Sequence, residues 1–283
     1  MLIDNVPKIY GHISSLNKNT FVLPNCIISN NKNDILKFSR TCPHRGYKIG
    51  NPGEQNHSIK CILHGFEFDC EGKPINNENE LKSQQTLSVG KSGLIFENFK
   101  EPDHWWVDTI CNEKELIYER SYQGNSVGSW LWMMEIQADL LHVQKNGIHP
   151  VLSELVDLDN VKMENGDNWI LQSFDGGFWL FIYPYTFVEW APGCLGINYT
   201  IPNDKQQEFG FSWITQFYYN KNISEQKKKE FELLETVFRE DVEAIEKQTI
   251  PYFPLKKALN RLEEHCVHFG QWTVKNRCHK LKI

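Results

Sequence analysis

The chain has 283 residues, which is room for about two domains of ordinary size. Its composition is that of a globular protein, with 40% hydrophobic and 23% charged residues, and its net charge of −6 argues against nucleic acid or an anionic membrane as a partner. No stretch approaches the ~20 apolar residues of a membrane span, and the N-terminus lacks the pattern of a signal peptide.

Residues 1 to about 100 contain short β-type runs that are separated by turn residues. The candidate strands are 21–23, 26–28, 35–38, 59–62, 66–68 and 94–96. Segments 30–34, 51–53 and 91–93 are rich in Asn, Gly and Pro and read as turns. This spacing predicts a small antiparallel sandwich that presents its loops at one end.

Two Cys-His pairs lie among these strands. Cys42 and His44 are separated by one proline, and sixteen residues separate His44 from Cys61, which is followed by His64. A structural zinc site or unrelated buried thiols are the simpler interpretations. Zinc sites, however, usually pair their ligands as C-x-x-C and H-x-x-x-H, and a C-x-H pair is unusual there.

The two loops resemble those that hold a Rieske 2Fe-2S cluster. The matching segments are 41–46 and 64–69, with Gly72 close behind, although the usual tryptophan after the second His-Gly is Phe66 here. The resemblance implies that Cys42 and Cys61 bind one iron and that His44 and His64 bind the other. Neutral imidazole in place of half the thiolates raises the potential of such a cluster.

The other six cysteines show no disulfide-framework spacing. They are Cys26, Cys70, Cys111, Cys194, Cys266 and Cys278. We expect them to be reduced thiols of a cytoplasmic protein.

A Glu-Pro-Asp sequence at 101–103 looks like a domain boundary, which predicts domains at 1–100 and 101–283. Beyond it, the sequence predicts a helix near 129–145 that begins at Ser129, aromatic-rich strands between 168 and 218, and a long charged helix from about 224 to 248.

The first of these helices carries a cluster of polar residues. In a helix that runs through residue 142, Glu135, Asp139 and His142 fall at i, i+4 and i+7 and share one face. Gly147 then breaks the helix, and His149 follows in a turn. Polar residues on a helix are most often simply exposed, but apolar neighbours here make a metal platform a reasonable alternative.

Asp241 supplies a further candidate ligand. It lies within an apolar stripe of the late helix, formed by Phe231, Leu234, Phe238 and Ile245. A buried carboxylate needs a cation, which is either a Lys or Arg at a helix seam or a bound metal. Two imidazoles and one carboxylate form the facial triad of non-haem iron(II) oxygenases.

With both motifs present, nearly the whole chain resembles the catalytic subunit of a Rieske non-haem iron oxygenase. Asp139-x-x-His142 with His149 matches the family's D-x-x-H … H segment, and segment 238–241 matches its Asp241-bearing helix. Six residues separate His142 from His149, where the family commonly has four. A short N-terminus is a second departure.

The resemblance implies an α+β fold, in which an N-terminal all-β Rieske domain precedes a START-like helix-grip catalytic domain with a curved antiparallel sheet around a long helix. It implies a mononuclear non-haem Fe(II) held by His142, His149 and Asp241. It also implies head-to-tail homotrimers, in which the cluster of one subunit passes electrons through Asp139 to the iron of the next. In that role the Asp139 carboxylate accepts the second ring N–H of His142.

No G-x-G-x-x-G dinucleotide fingerprint occurs in the chain, so a separate NAD(P)H-dependent reductase, with or without a ferredoxin, is the expected electron source. The resemblance implies that the substrates are a small organic molecule and dioxygen. Ring dihydroxylation by a dioxygenase, monohydroxylation and oxidative demethylation all remain open. The alternative is a Rieske electron carrier whose second domain only binds a partner or ligand.

Overall fold

The structure is a computed structural model that describes residues 6–32, 34–99, 115–204 and 207–276. Two seven-stranded antiparallel sheets dominate it. The strands of the first half are β1 (Lys8–His12), β2 (Thr20–Val22), β3 (Cys26–Asn30), β4 (Ile35–Ser39), β5 (Gln55–Asn56), β6 (Ile59–Lys60), β7 (Glu67–Phe68), β8 (Ser83–Val89) and β9 (Leu94–Glu97). The first sheet has the order β1-β9-β8-β4-β3-β2-β5, and β6 pairs with β7 in a separate ribbon.

All six strands predicted in this half are present, within one or two residues. The ribbon packs on the first sheet, because Ile59 and Phe68 share a small core with Val22, Phe38 and Ile49. The three strands that were not predicted are β1, β5 and β8. In β8 only Leu87 is buried, so this strand shows little apolar alternation.

The second sheet is an antiparallel meander in which the long first strand pairs with the last strand and forms one edge. Its strands are β10 (Leu116–Ser129), β11 (Lys162–Gly166), β12 (Trp169–Phe174), β13 (Gly177–Ile182), β14 (Thr186–Ala191), β15 (Cys194–Pro202) and β16 (Phe209–Asn220). They follow the order β10-β16-β15-β14-β13-β12-β11. The aromatic-rich strands predicted between 168 and 218 are thereby confirmed.

Four α-helices accompany this sheet in the described part of the chain. They are α1 (Trp130–Ile136), α2 (Leu152–Leu155), α3 (Glu225–Glu246) and α4 (Glu264–Lys275). The long helix α3 begins at Ser224, whose hydroxyl accepts a hydrogen bond from the Lys227 N–H. None of the described helices is both long and apolar enough to span a membrane.

Helix α3 lies against the sheet through its apolar stripe. Phe238 packs on Trp213 of β16 with ring centroids 4.9 Å apart. Ile245 lies so close to Gly128 of β10 that a Cβ there would be 2.8 Å from its side chain. Phe238, Asp241 and Ile245 are all buried. The predicted stripe therefore faces the core, and the predicted α+β class with a sheet gripping a long helix is confirmed.

The predicted helix through His142 is wrong in its extent. Helix α1 ends at Ile136, and Leu141–Val143 is a separate 3-10 turn. The chain leaves the helix because the Asp139 carboxylate accepts the N–H of Leu141 at 2.7 Å, while the Leu140 N–H bonds to the distant carbonyl of Leu262. Glu135 and His142 therefore do not share the face of one helix.

The two sheets are packed together through a shared core. Tyr10 of β1 contacts Tyr199 of β15 with ring centroids 5.4 Å apart, and Gln216 of β16 donates to the Tyr10 carbonyl at 3.0 Å. The proposed boundary at 101–103 lies outside the described residues. The division into domains 1–100 and 101–283 stays a prediction, although each large sheet draws its strands from only one side of it.

Candidate functional site: two candidate metal centres

The two Cys-His loops fold alike. In the first, the Cys42 N–H bonds to the Tyr47 carbonyl at 2.8 Å and the Cys42 carbonyl accepts from Gly46 at 2.9 Å. In the second, Cys61 makes the same two bonds, to Phe66 at 2.8 Å and from Gly65 at 2.9 Å. Both glycines adopt φ of +71°, a conformation that other residues rarely take. The C-x-H and C-x-x-H segments therefore form two nearly equivalent turns, although their ligand spacing differs.

These turns bring the four predicted cluster ligands together. The rings of His44 and His64 lie 5.0 Å apart, and the thiols of Cys42 and Cys61 are close enough to interact. Burial raises the pKa of the Cys42 thiol, and Cys61 adds to this effect. The backbone N–H groups of His44 and Arg45 oppose it because they point at the Cys42 sulfur. Two thiols backed by amides and two facing imidazoles fit a mixed-ligand 2Fe-2S cluster.

The outer side of this centre is open to solvent and apolar. His44 and His64 are exposed, whereas both cysteines are buried. Ile62 and Leu63, which lie inside the second loop, are 69% and 47% exposed. Exposed apolar side chains around a redox centre suit a surface on which a protein partner docks.

The second centre joins residues from three separate parts of the catalytic half. His142 comes from the 3-10 turn, His149 from the loop before α2, and Asp241 from the buried face of α3. One donor atom from each lies within 4.8 Å of the other two. The Asp241 Oδ1 atom is 2.7 Å from Nε2 of His149 and 3.5 Å from Nε2 of His142. The three predicted ligands thus converge.

Asp241 is held ionised at this place. Burial alone would raise the pKa of its carboxyl, but hydrogen bonds and charge interactions with both histidines lower it below the ordinary value. Its second oxygen accepts from the Gln137 amide at 3.3 Å. A buried carboxylate beside two imidazoles fits a divalent metal ion. Gln137 was not predicted, since nothing in its helix-end position distinguishes it.

Glu240 orients His149. An ionised carboxylate can only accept hydrogen bonds, so Oε2 of Glu240 accepts one from the Nδ1–H group of His149, with the two atoms 2.7 Å apart. This contact turns Nε2 of His149 toward Asp241. Burial would lower the pKa of His149, but the contacts with Asp241 and Glu240 raise it. Metal-binding histidines usually have such a partner. Sequence reasoning gave Glu240 no role, although its place next to Asp241 was a usable signal.

The loop between the two histidines closes on itself. The His142 carbonyl accepts the N–H of Ile148 at 3.1 Å, and Gly147 bonds to Gln144 at 2.6 Å. A Cβ on Gly147 would overlap the His142 carbonyl, so only glycine fits there. The longer spacing between the histidines is therefore absorbed by a compact loop, and it does not move His149 away from the site.

Asp139 lies beside this centre, but its carboxylate does not accept the expected hydrogen bond from His142. Its Oδ2 atom is 3.8 Å from the Nδ1 atom of His142, which is too long for a hydrogen bond. His142 Nδ1 is buried and makes no hydrogen bond within the described structure. Burial raises the pKa of the Asp139 carboxyl, and the nearby His142 and the Leu141 N–H partly oppose this.

A cavity adjoins His142 and Asp241. Its lining also includes Asp139, together with Trp179, Phe187 and Glu189 of the strands β13 and β14. The predicted aromatic strands therefore line a pocket as well as the core.

Comparison with known proteins agrees with the first centre and with the fold. The Rieske [2Fe-2S] domain family matches residues 12–88, which implies a 2Fe-2S cluster. No curated protein gives a significant match in sequence.

Several solved structures resemble the chain along nearly its whole length. The quaternary ammonium Rieske monooxygenase CntA in complex with its substrate L-carnitine is 19% identical, with 96% of this chain and 88% of that chain covered and a TM-score of 0.70. NdmA of Pseudomonas putida CBB5 is 16% identical, with 98% and 91% covered and a TM-score of 0.55. These likenesses show that the chain shares their fold.

Proposed function

We propose that this chain, which carries a Rieske [2Fe-2S] domain and has the fold of the Rieske non-haem iron oxygenase catalytic subunits, is the oxygenase component of such a system. It hydroxylates or oxidatively demethylates a small organic substrate with dioxygen. The observation that carries the proposal is the convergence of His142, His149 and Asp241 at the end of a cavity, in the same chain as the cluster loops.

The residues of the second centre hold iron(II) in this proposal. Two imidazoles and a carboxylate bind zinc as well, so the donor set alone does not select the metal. The cluster domain in the same chain favours iron at the second centre. The cluster delivers electrons, and zinc, which is redox-inert, could not accept them. When bound, the cluster supplies single electrons and the iron supplies the place at which dioxygen is activated.

The protein's own residues keep this centre ordered and dry. Glu240 fixes the ring of His149, and Gln137 fixes the carboxylate of Asp241. Apolar side chains such as Leu140, Val143 and Phe238 line the cavity beside them and exclude bulk water. Substrate that enters the cavity lies next to the metal ligands, where the reacting C–H bond is positioned.

Asp139 connects the centre to the cluster of a neighbouring subunit in a head-to-tail homotrimer. Its carboxyl group remains partly exposed at the edge of the site, and the imidazoles of His44 and His64 are exposed at the edge of the cluster. Inter-subunit electron transfer is described for a similar quaternary ammonium Rieske monooxygenase. Co-assembly of an Asp241→Ala subunit with a Cys61→Ser subunit tests this, since only transfer between subunits restores turnover.

The partners outside the trimer are a separate NAD(P)H-dependent reductase, with or without a ferredoxin, and the enzyme works in the cytoplasm. L-carnitine is a substrate of CntA, and the QL mutant of NdmA has been solved with caffeine. L-carnitine and caffeine both carry N-alkyl groups, which supports monooxygenation or N-demethylation over ring dihydroxylation as the reaction of this chain.

The decisive experiment is turnover of a panel of small organic compounds with a surrogate reductase under ¹⁸O₂. The oxygenase predicts a product that carries one labelled oxygen, or formaldehyde release from an N- or O-methyl group, and three irons per chain. A protein with two irons per chain that transfers electrons but oxidises no compound of the panel would be a Rieske carrier, which is the alternative function.

A further inference from the structure

Glu189 occupies an unusual position between two hollows of the catalytic half. It lines the cavity beside the metal ligands, and it also lines an outer cleft. Trp179, Leu152 and Leu234 line both hollows as well. Glu189 therefore borders both the outer cleft and the cavity beside the metal ligands.

The fold turns this carboxylate inward. Glu189 and Phe187 lie two residues apart on β14, so their side chains are on the same face of the sheet. They pair with Trp179 and Phe181 of β13, whose side chains share that face. On the other side, Gly196 of β15 stands opposite, and a Cβ there would be 3.1 Å from Oε2 of Glu189. Glycine at this point leaves space for a carboxylate on an otherwise apolar surface.

Glu189 lacks a counter-charge within the described part of the chain. Burial raises the pKa of its carboxyl to about 8, and Asp241 adds to the effect, while no lysine, arginine or histidine lowers it. Keeping such a group in an apolar site is costly unless a partner arrives. Of the described residues that line the metal-side cavity, none is a lysine or an arginine.

Aromatic rings surround the same place. Trp179 pairs directly with Glu189 across the strands, Phe187 lies two residues before it, and Phe174 contacts Trp179 with ring centroids 4.7 Å apart. The faces of such rings attract cations, and alkylated ammonium groups are the cations that aromatic cages prefer. A carboxylate flanked by indole and phenyl rings is complementary to one kind of ligand group.

We infer that the substrate is an alkylated ammonium compound whose positive charge lies against the Glu189 carboxylate and whose N-alkyl groups lie against Trp179 and Phe187. The inference rests on the proposed function and names the substrate class of the same site. Held at Glu189, the cation places an attached alkyl group in the metal-side cavity, where oxidation takes place.

The outer cleft has the charge that such a substrate requires. Asp175 and Glu230 lie on its lining together with Glu189, and Lys227 is the one basic residue among its described lining. An acidic entrance raises the local concentration of a cation and disfavours an anionic substrate.

Calorimetric binding of two probes to the anaerobic holoenzyme tests the inference without turnover. Choline carries a trimethylammonium group, and 3,3-dimethylbutan-1-ol is its neutral carbon isostere. We expect choline to bind at least about tenfold more tightly than the isostere. Glu189→Gln should abolish this preference, while Glu189→Asp, which keeps the charge, should retain part of it.

Glu164→Gln is the matched control, because Glu164 is an exposed carboxylate of β11 that lines neither hollow. It should change choline affinity less than about threefold, since exposed charges are screened. Equal binding of the two probes to the wild-type protein, or an unchanged preference in Glu189→Gln, overturns the inference. Because cluster and iron contents are measured on the same samples, such a result leaves the oxygenase proposal standing, whereas absence of the third iron refutes that proposal instead.

Discussion

Replacement of Glu240 by alanine should weaken iron binding at the second centre without touching the cluster. The substitution removes the Oε2 atom that accepts a hydrogen bond from Nδ1 of His149, 2.7 Å away. His149 itself is buried, so its ring keeps its place but loses its fixed tautomer.

The structure sets the expected size of this effect. Loss of such a partner typically costs 10- to 100-fold in metal affinity, which corresponds to about 1.4–2.8 kcal/mol. The Glu240 side chain is 39% exposed, so the contribution of its charge is screened by solvent. We therefore expect the lower end, about tenfold for Glu240→Ala. Glu240→Gln should lose less, because the amide oxygen still accepts the hydrogen bond.

Competition with a chelator for Fe(II) under anaerobic conditions measures the affinity, and visible absorption monitors the cluster. Glu243→Ala is the control, since Glu243 is an exposed carboxylate one turn further along α3. If Glu240→Ala binds iron as tightly as Glu243→Ala, then Glu240 does not orient the ligand and the reasoning is refuted.

Three further predictions follow from other parts of the structure. Gly147→Ala should lower iron affinity at least tenfold while the cluster stays bound, because a Cβ overlaps the His142 carbonyl; normal iron content after chelator challenge would contradict this. Asp139→Asn should keep both metals but slow cluster oxidation by orders of magnitude in stopped-flow single turnover. Wild-type rates would exclude Asp139 as the path of electrons between the two centres. Burial raises the pKa of Glu135 from 4.5 to about 7, against the opposing effect of its Tyr252 partner, so the native state binds the proton more tightly than the unfolded state. The free energy of unfolding should therefore fall by at most about 3 kcal/mol as pH rises from 4.5 to 7 and then level off, and Glu135→Gln should lose this slope in urea titrations; an unchanged slope would assign it to other groups.

The sequence could predict that the residues of each candidate centre lie together, because their spacing reflects local turns and a strong amphipathic pattern. Cys42 and Cys61 each begin a tight turn that closes on a glycine, and Asp241 is a polar interruption of an apolar helix face. His149 was predicted in spite of its unusual spacing from His142. The structure explains why the longer loop is tolerated.

Other features depended on contacts that a sequence does not contain. The helix that begins at Ser129 has the pattern to continue through His142, but a side-chain turn at Asp139 and the pairing of Leu140 with Leu262 end it early. The position of Glu189 became visible only when β13 and β14 paired, because its face is defined by Trp179 on the neighbouring strand. Long-range pairing of this kind overrides local propensity.

The most direct test of the account is the fate of electrons stored in the cluster. Protein reduced in the absence of oxygen is mixed with dioxygen and a substrate from the turnover panel, and cluster oxidation and labelled product are followed together. We predict that the wild-type protein forms product as its cluster is oxidised, and that Asp241→Ala, with its cluster intact, forms none and is oxidised far more slowly. Equal cluster oxidation and product formation in Asp241→Ala would contradict the central claim that His142, His149 and Asp241 hold the oxygen-activating metal.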